Sequence, residues 1–213
     1  NSSKGFNINA GLRLNNHSEY GNYFVYNVNP SYNFTNNFRL ISSLSTAFIA
    51  PSTYQLFSQY GNVNLEPEET KTVELGLIFS KGQLFEINAV FFYREEDNAI
   101  LLPDYITYQN ANEALNAKGV ETDLKISALK SVSLRFGHTY TYKSADLDYI
   151  PKNKFTALIE TKSLKNSYVS VRLKNISKRI YFDQWGTSEN INLDGYTLVD
   201  LYGSHNLIKD RLS

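Results

Sequence analysis

Val73-Glu74-Leu75-Gly76-Leu77-Ile78-Phe79-Ser80-Lys81-Gly82-Gln83-Leu84-Phe85-Glu86-Ile87-Asn88-Ala89-Val90-Phe91-Phe92-Tyr93-Arg94 reads as two strands and the turn between them. In the first segment Val73, Leu75, Leu77 and Phe79 fall on one face, and Thr72, Glu74, Gly76 and Ser80 on the other. In the second, Phe85, Ile87, Ala89, Phe91 and Tyr93 oppose Glu86, Asn88 and Arg94. A period of two sustained over such lengths specifies strands with one apolar and one polar face. Lys81-Gly82-Gln83 supplies the turn, where glycine takes a positive φ at no steric cost.

The same alternation spreads in both directions. Val120–Ala128, Val132–Tyr142 and Val169–Leu173 repeat it cleanly. Phe6–Leu14, Tyr23–Phe34, Phe38–Ile49, Phe155–Thr161 and Tyr196–Asn206 repeat it less cleanly, which makes about ten strands. No amphipathic helix is predicted. The connections alternate between two classes. Short polar turns are expected at Thr35-Asn36-Asn37, Lys81-Gly82-Gln83, Leu129-Lys130-Ser131 and Leu164-Lys165-Asn166. Longer links are expected at His17–Asn22, Ala50–Lys71, Glu96–Asn116, Ser144–Asn153 and Phe182–Gly195. Short turns at one end and long loops at the other is the pattern of an outer-membrane barrel. Globular strands run about five or six residues, whereas a tilted strand crossing a bilayer needs about 9–11. The expected fold is all-β: an antiparallel up-and-down transmembrane β-barrel, here an incomplete segment of about ten strands. A soluble sandwich is the alternative, with its apolar faces turned inward. The polar faces carry Arg13, Arg39, Glu74, Glu86, Glu121, Asp123, Arg135, Glu160, Arg172 and Lys174. In a barrel they line a wet interior; a dry core would not accommodate them, but on the solvated exterior of a sandwich they cost nothing, so these charges leave both folds open.

Composition narrows the function classes. The 21 basic and 21 acidic side chains cancel, which removes the electrostatic case for nucleic-acid binding. Cysteine is absent, so there is no disulfide framework, thiolate nucleophile or thiolate metal site. Sixteen Tyr and 13 Phe suit the aromatic girdles of a membrane barrel, and equally a Tyr-rich soluble β-protein. No apolar run approaches the roughly 20 residues of a membrane helix, which excludes helical spans and not strands. The chain begins at Asn1 with no signal peptide, so its start is expected to lie inside a longer gene product.

The link after Phe38–Ile49 is too long for a tight turn: Ala50-Pro51-Ser52-Thr53-Tyr54-Gln55-Leu56-Phe57-Ser58-Gln59-Tyr60-Gly61-Asn62-Val63-Asn64-Leu65-Glu66-Pro67-Glu68. Its order resembles a signature of the TonB-dependent outer-membrane receptors. Two later segments resemble the same family in the same order. One is Asn110-Ala111-Asn112 followed by Ala117-Lys118-Gly119-Val120-Glu121, and the other is Gly195-Tyr196-Thr197-Leu198-Val199-Asp200-Leu201. Within the family the loop looks most like that of the cobalamin (vitamin B12) receptors. The resemblance implies that residues 1–213 are part of one barrel domain. The plug, the first half of the barrel and the last hairpin would be absent, with Ile208–Ser213 as a periplasmic turn. It implies TonB-dependent uptake of cobalamin across the outer membrane of a Gram-negative bacterium, with no bond made or broken in the substrate. A ferric-siderophore or haem receptor is the alternative within the family. From another class, a soluble β-rich carbohydrate-binding or adhesion module remains open. The implied partners are outer-membrane lipid, the large nutrient itself, and the TonB-ExbB-ExbD complex acting through the plug. A surface lipoprotein capping the loops is compatible. No cofactor is implied; cobalamin enters as the transported substrate.

Each candidate residue has two readings. Tyr54, Gln55, Phe57 and Tyr60 offer rings and an amide to a large polar ligand. Ala50, Pro51, Leu56, Gly61, Asn62, Asn64, Leu65, Pro67 and Glu68 carry the family motif and are expected to shape the strand–loop junctions, as are Gly119, Glu121 and Asp200. Trp185, the only tryptophan, sits among carboxylates in Phe182–Asn190. That segment either touches ligand, binds Ca²⁺ through oxygens, or is a plain exposed loop; it lacks the spacing of a Ca²⁺ loop. His17, His138 and His205 are too scattered for a metal motif, and His138 shares the apolar-face parity near an interface. No nucleophile or zinc-protease motif is present, so no catalytic residue is expected.

Overall fold

A computed structural model describes residues 4–102, 106–129, 131–144, 150–164, 166–183 and 189–205. In chain order the elements are β1 (Gly5–His17), β2 (Gly21–Asn33), β3 (Phe38–Ile49), α1 (Thr53–Phe57), β4 (Glu68–Lys81), β5 (Phe85–Asp97), β6 (Ile100–Leu101), β7 (Gln109–Asn110) and β8 (Leu115–Leu129). There follow β9 (Val132–Lys143), β10 (Asn153–Leu164), β11 (Ser167–Ile176), β12 (Arg179–Asp183), β13 (Glu189–Leu193) and β14 (Tyr196–His205). Ten of them form one antiparallel sheet in the order β1-β2-β3-β4-β5-β8-β9-β10-β11-β14. Two small hairpins, β6–β7 and β12–β13, stand in the long links. Among the described residues β1 and β14 are unpaired edges, so the sheet is open.

The opening hairpin forms as its sequence dictates. Gly82 takes φ +58° in the turn, and Phe79 pairs with Ile87, Leu77 with Ala89, Leu75 with Phe91 and Val73 with Tyr93. Register therefore stacks apolar on apolar and polar on polar. The next pair continues the same face, with Ile87 beside Leu124 and Phe91 beside Val120. This apolar face is open rather than packed: Leu75 is 51% exposed and Phe136 43%. The only buried hydrophobic residues described are Leu65, Ala99 and Ile176, and the first two lie in the links rather than in the ten-stranded sheet. A sandwich would bury this face; an exposed apolar band of such extent needs lipid.

The opposite face is polar and concave. It holds a depression of about 620 Å³ lined by Glu86, Asp123, Arg135, Lys154, Arg172 and Lys174 among others. On the same face Glu160 accepts from Tyr168 Oη at 2.7 Å and Ser133 Oγ at 3.1 Å, and pairs with Arg135 at 3.7 Å. His138 keeps the apolar parity. Its ring stacks on Phe155 at 4.1 Å, and Nε2 lies 3.0 Å from Asn153 Oδ1.

Two expectations need correction. The His17–Asn22 link is not long: β1 runs to His17 and β2 starts at Gly21. His17 Nδ1 accepts the backbone N–H groups of Glu19 and Tyr20 at 3.2 and 3.4 Å, and Gly21 takes φ +78°, which closes the turn in three residues. A helix does occur, the five-residue α1, too short to leave a periodic trace. The Glu96–Asn116 and Phe182–Gly195 links are long as expected, and they carry the short pairs β6–β7 and β12–β13. Lys130, Lys165 and Ile208–Ser213 lie outside the described residues.

Candidate functional site

The Ala50–Glu68 link is an ordered loop built around α1. Ser52 caps the helix: its Oγ accepts the Gln55 N–H at 3.3 Å, while Gln55 Oε1 accepts the Ser52 N–H at 2.8 Å. This reciprocal box satisfies the helix's orphan donors locally. Gly61 then folds back against the helix. A Cβ there would stand 2.5 Å from the Leu56 carbonyl oxygen, so only glycine fits without a shift. Asn62 donates its N–H to Gln55 O at 2.9 Å, and its Oδ1 accepts from Asn64 N at 3.0 Å. Leu65 is 2% exposed and Pro51 and Pro67 are buried, anchoring both ends of the loop.

The link between β5 and β8 locks onto this loop. Asn110 Oδ1 accepts the Glu66 N–H at 2.8 Å, and its Nδ2 donates to Glu66 O at 2.9 Å and to Asn98 O at 2.7 Å. Ile100 donates its N–H to Glu68 Oε1 at 2.7 Å. Asn62 Nδ2 donates to Tyr108 O at 2.9 Å, and the Tyr108 N–H to Tyr60 O at 2.9 Å. Asn98 adopts φ +56° to make the turn, and Ala99 beside it is 2% exposed. The two motif segments, far apart in sequence, thus form one hydrogen-bonded unit at the long-loop end of the sheet.

The candidate residues divide within this unit. Tyr54 is 59% exposed, its ring edge-on to Tyr108 at 6.3 Å. The carbonyl of Gln55 is held by the cap, so its amide oxygen is not presented to solvent partners freely. Tyr60 is half-buried and holds the second loop through its backbone. Phe57, at 70%, and Val63, which the sequence did not single out, at 65%, are more exposed than Tyr54, Gln55 and Tyr60. Ala50 and Leu56 are half-buried, Ala50 at the exit of β3 and Leu56 on the helix. Gly119, Glu121 and Asp200 are not brought into the loop unit. A Cβ on Gly119 would collide with the Tyr140 carbonyl oxygen and stand 2.7 Å from Phe92 Cζ. Glu121 pairs in register with Val90 and Thr139 on the polar face, and Asp200 with Arg172. Trp185 lies outside the described residues. Among the described residues no group of His, Asp and Glu is arranged to hold a metal ion.

The family model described as TonB dependent receptor-like, beta-barrel matches residues 2–213. The chain belongs to the TonB-dependent receptor family. TonB-dependent receptors are transport receptors rather than enzymes, and they place this chain in the outer membrane of a Gram-negative bacterium. A similar curated protein is the vitamin B12 transporter of Vibrio cholerae, 29% identical over 209 residues, covering 91% of this chain and 32% of that protein. The chain thus spans about a third of the length of that relative. Among solved structures, the ferric enterobactin receptor of Pseudomonas aeruginosa superposes with a TM-score of 0.83 at 20% identity, covering 96% of this chain and 36% of that one. The siderophore receptor PirA of Acinetobacter baumannii gives 0.81 at 15% identity, covering 95% and 37%. These structures share the receptor barrel with this chain; at such identities they bear on fold alone.

Proposed function

We propose that residues 1–213 are part of one barrel domain of a TonB-dependent receptor that takes up cobalamin, and that they supply barrel wall and extracellular loops. The observation that carries the substrate is the 29% identity to a vitamin B12 transporter over 209 residues. The Ala50–Glu68 loop agrees with it: an ordered platform presenting Tyr54 and Phe57 suits a large, ring-bearing ligand. The ligand lands on the loops and is moved unaltered. TonB-dependent receptors work with the TonB-ExbB-ExbD complex, and we assign the same drive to this one. The polar concave face supplies the wetted wall past which the ligand moves.

The test is binding of cyanocobalamin by the full-length receptor in detergent, measured beside a ferric catecholate and haem. Tight binding of cyanocobalamin alone is the expected result. Binding of a ferric chelate or haem without cobalamin replaces the substrate and leaves the receptor reading intact.

A further inference from the structure

The membrane-facing side of the sheet carries a groove of about 360 Å³ near the long-loop end. Three neighbouring strands line it: Phe91 from β5, Lys118, Gly119 and Val120 from β8, and Tyr140 and Tyr142 from β9. These strands lie inside the ten-stranded order, so the groove needs no further strand to complete it. Val120 pairs in register with Phe91 on one side and Tyr140 on the other, which sets a short side chain between two rings. Lys118 pairs with Tyr142, nearer the loops. The lining is mainly apolar, and Phe91, Val120 and Tyr142 are 46%, 40% and 51% exposed.

The loop-side edge of this trough is cationic. Lys118 Nζ stands 5.3 Å from the centroid of the Tyr142 ring, and Lys152 Nζ 5.7 Å from that of Tyr140. A ring face steadies an ammonium without neutralising it. Lys118 thus lines an apolar groove and holds its charge at the edge, as lysines do at a membrane–water boundary. Glu95 and Asp97, farther toward the loops on β5, are engaged by Lys71 at 3.7 and 3.0 Å, and Glu95 also accepts from Tyr93 Oη at 2.9 Å.

We propose that this groove seats an acyl chain of an anionic phospholipid in the loop-side leaflet, with the headgroup phosphate at Lys118. A soluble anion would use the ammonium and leave the apolar trough in water. An uncharged lipid would fill the trough and make no use of the ammonium. An anionic phospholipid uses both, chain against Phe91, Val120 and Tyr140, and phosphate against the lysine. The inference rests on the barrel and not on cobalamin as substrate.

The test reconstitutes the full-length receptor in vesicles of phosphatidylglycerol and phosphatidylcholine with identical chains. The receptor is then extracted in mild detergent and the retained lipids are counted by mass spectrometry. Wild type is expected to retain phosphatidylglycerol in excess of its share of the vesicle. Lys118→Gln is expected to lower that excess about fivefold, the scale of one lysine beside an anionic headgroup. Lys118→Arg keeps the charge and is expected to keep the excess. Val120→Trp leaves Lys118 in place but fills the trough, and is expected to lower the excess as Lys118→Gln does. An unfolding temperature in detergent equal to that of wild type separates loss of the site from misfolding. A Lys118→Gln receptor with the wild-type excess overturns the proposal. So does a Val120→Trp receptor with the wild-type excess, because the effect is then charge attraction at an unshaped surface. Cyanocobalamin binding is measured on the same wild-type sample: if it fails while the lipid pattern holds, the substrate falls and the lipid site stands.

Discussion

Replacing Asn110 by alanine is expected to release the two loops from each other. The side chain makes three hydrogen bonds, to Glu66 N, Glu66 O and Asn98 O, all between 2.7 and 2.9 Å. Each contributes about 0.5–1.5 kcal/mol net. Asn110 is half-buried, so water recovers part of that on opening. A loss of about 2 kcal/mol follows for the loop unit, equivalent to roughly a 30-fold rise in the open population. Native-state hydrogen exchange on the full-length receptor in micelles reads this directly. The informative amides are Ile100 and Ala111, because they keep their own acceptors, Glu68 Oε1 and Ala99 O. Both are expected to exchange about 30-fold faster, while Val120 in the middle of the sheet is unchanged. Asn110→Asp sharpens the experiment. It keeps the acceptor for Glu66 N–H but loses both donors and turns a carboxylate toward two carbonyls, so it is expected to be at least as disruptive. A change below about twofold at Ile100 and Ala111 in both variants would refute the bracket, since even one net hydrogen bond at the low end of that range exceeds it.

Leu75→Arg, at the middle of β4 on the apolar face, is expected to destabilise the folded barrel in vesicles by about 2–4 kcal/mol. Its neighbour Glu74→Arg, on the polar face, is expected to cost less than about 1 kcal/mol; equal costs in a urea titration would refute the assignment of the two faces. Gly119→Ala is expected to lower stability by at least about 1–3 kcal/mol in the same titration, because the Cβ meets the Tyr140 carbonyl and the Phe92 ring. Gln55→Ala removes the acceptor for the Ser52 N–H and is expected to loosen α1 by about 0.5–1.5 kcal/mol, the scale of one net hydrogen bond, seen as faster exchange at Leu56 N–H. If ligand affinity drops with no change in that exchange, Gln55 acts by contact instead.

The strands were legible because their signal is local and each face meets one environment. Val73, Leu75, Leu77 and Phe79 need only a period of two and a turn at Gly82 to set the register with β5. Loop interiors offer no such regularity. The Asn110–Glu66 bracket joins residues 44 apart, and nothing periodic links them. α1 spans barely more than one turn, and its only trace is the Ser52…Gln55 spacing of a capping box. Asn98 left a comparable trace as an Asp-Asn pair at the end of a strand, a composition that tolerates positive φ. The His17–Asn22 link is shorter than its composition suggests because His17, Gly21 and Asn22 join the strands, His17 pairing with Gly21 and Asn22 with Asn16, and cross-strand pairing overrides their loop preference.

The loop unit also separates shape from recognition. Asn62, Leu65 and Glu68 spend their polar groups or apolar area on the loop itself, and Gln55 spends its carbonyl on the helix cap. Groups already paired gain little by exchanging one partner for another. Tyr54, Phe57 and Val63 stand 59%, 70% and 65% exposed on that same framework, with apolar surface still in water. Burying that surface is favourable by about 25 cal/mol per Å² and needs no protein bond to break first. A ligand that docks on this loop therefore gains from the residues between the motif positions. The motif fixes where those residues stand, and their identities set what they prefer. Two receptors can then share the motif and differ in ligand, which is why motif order supports the family more firmly than it supports cobalamin.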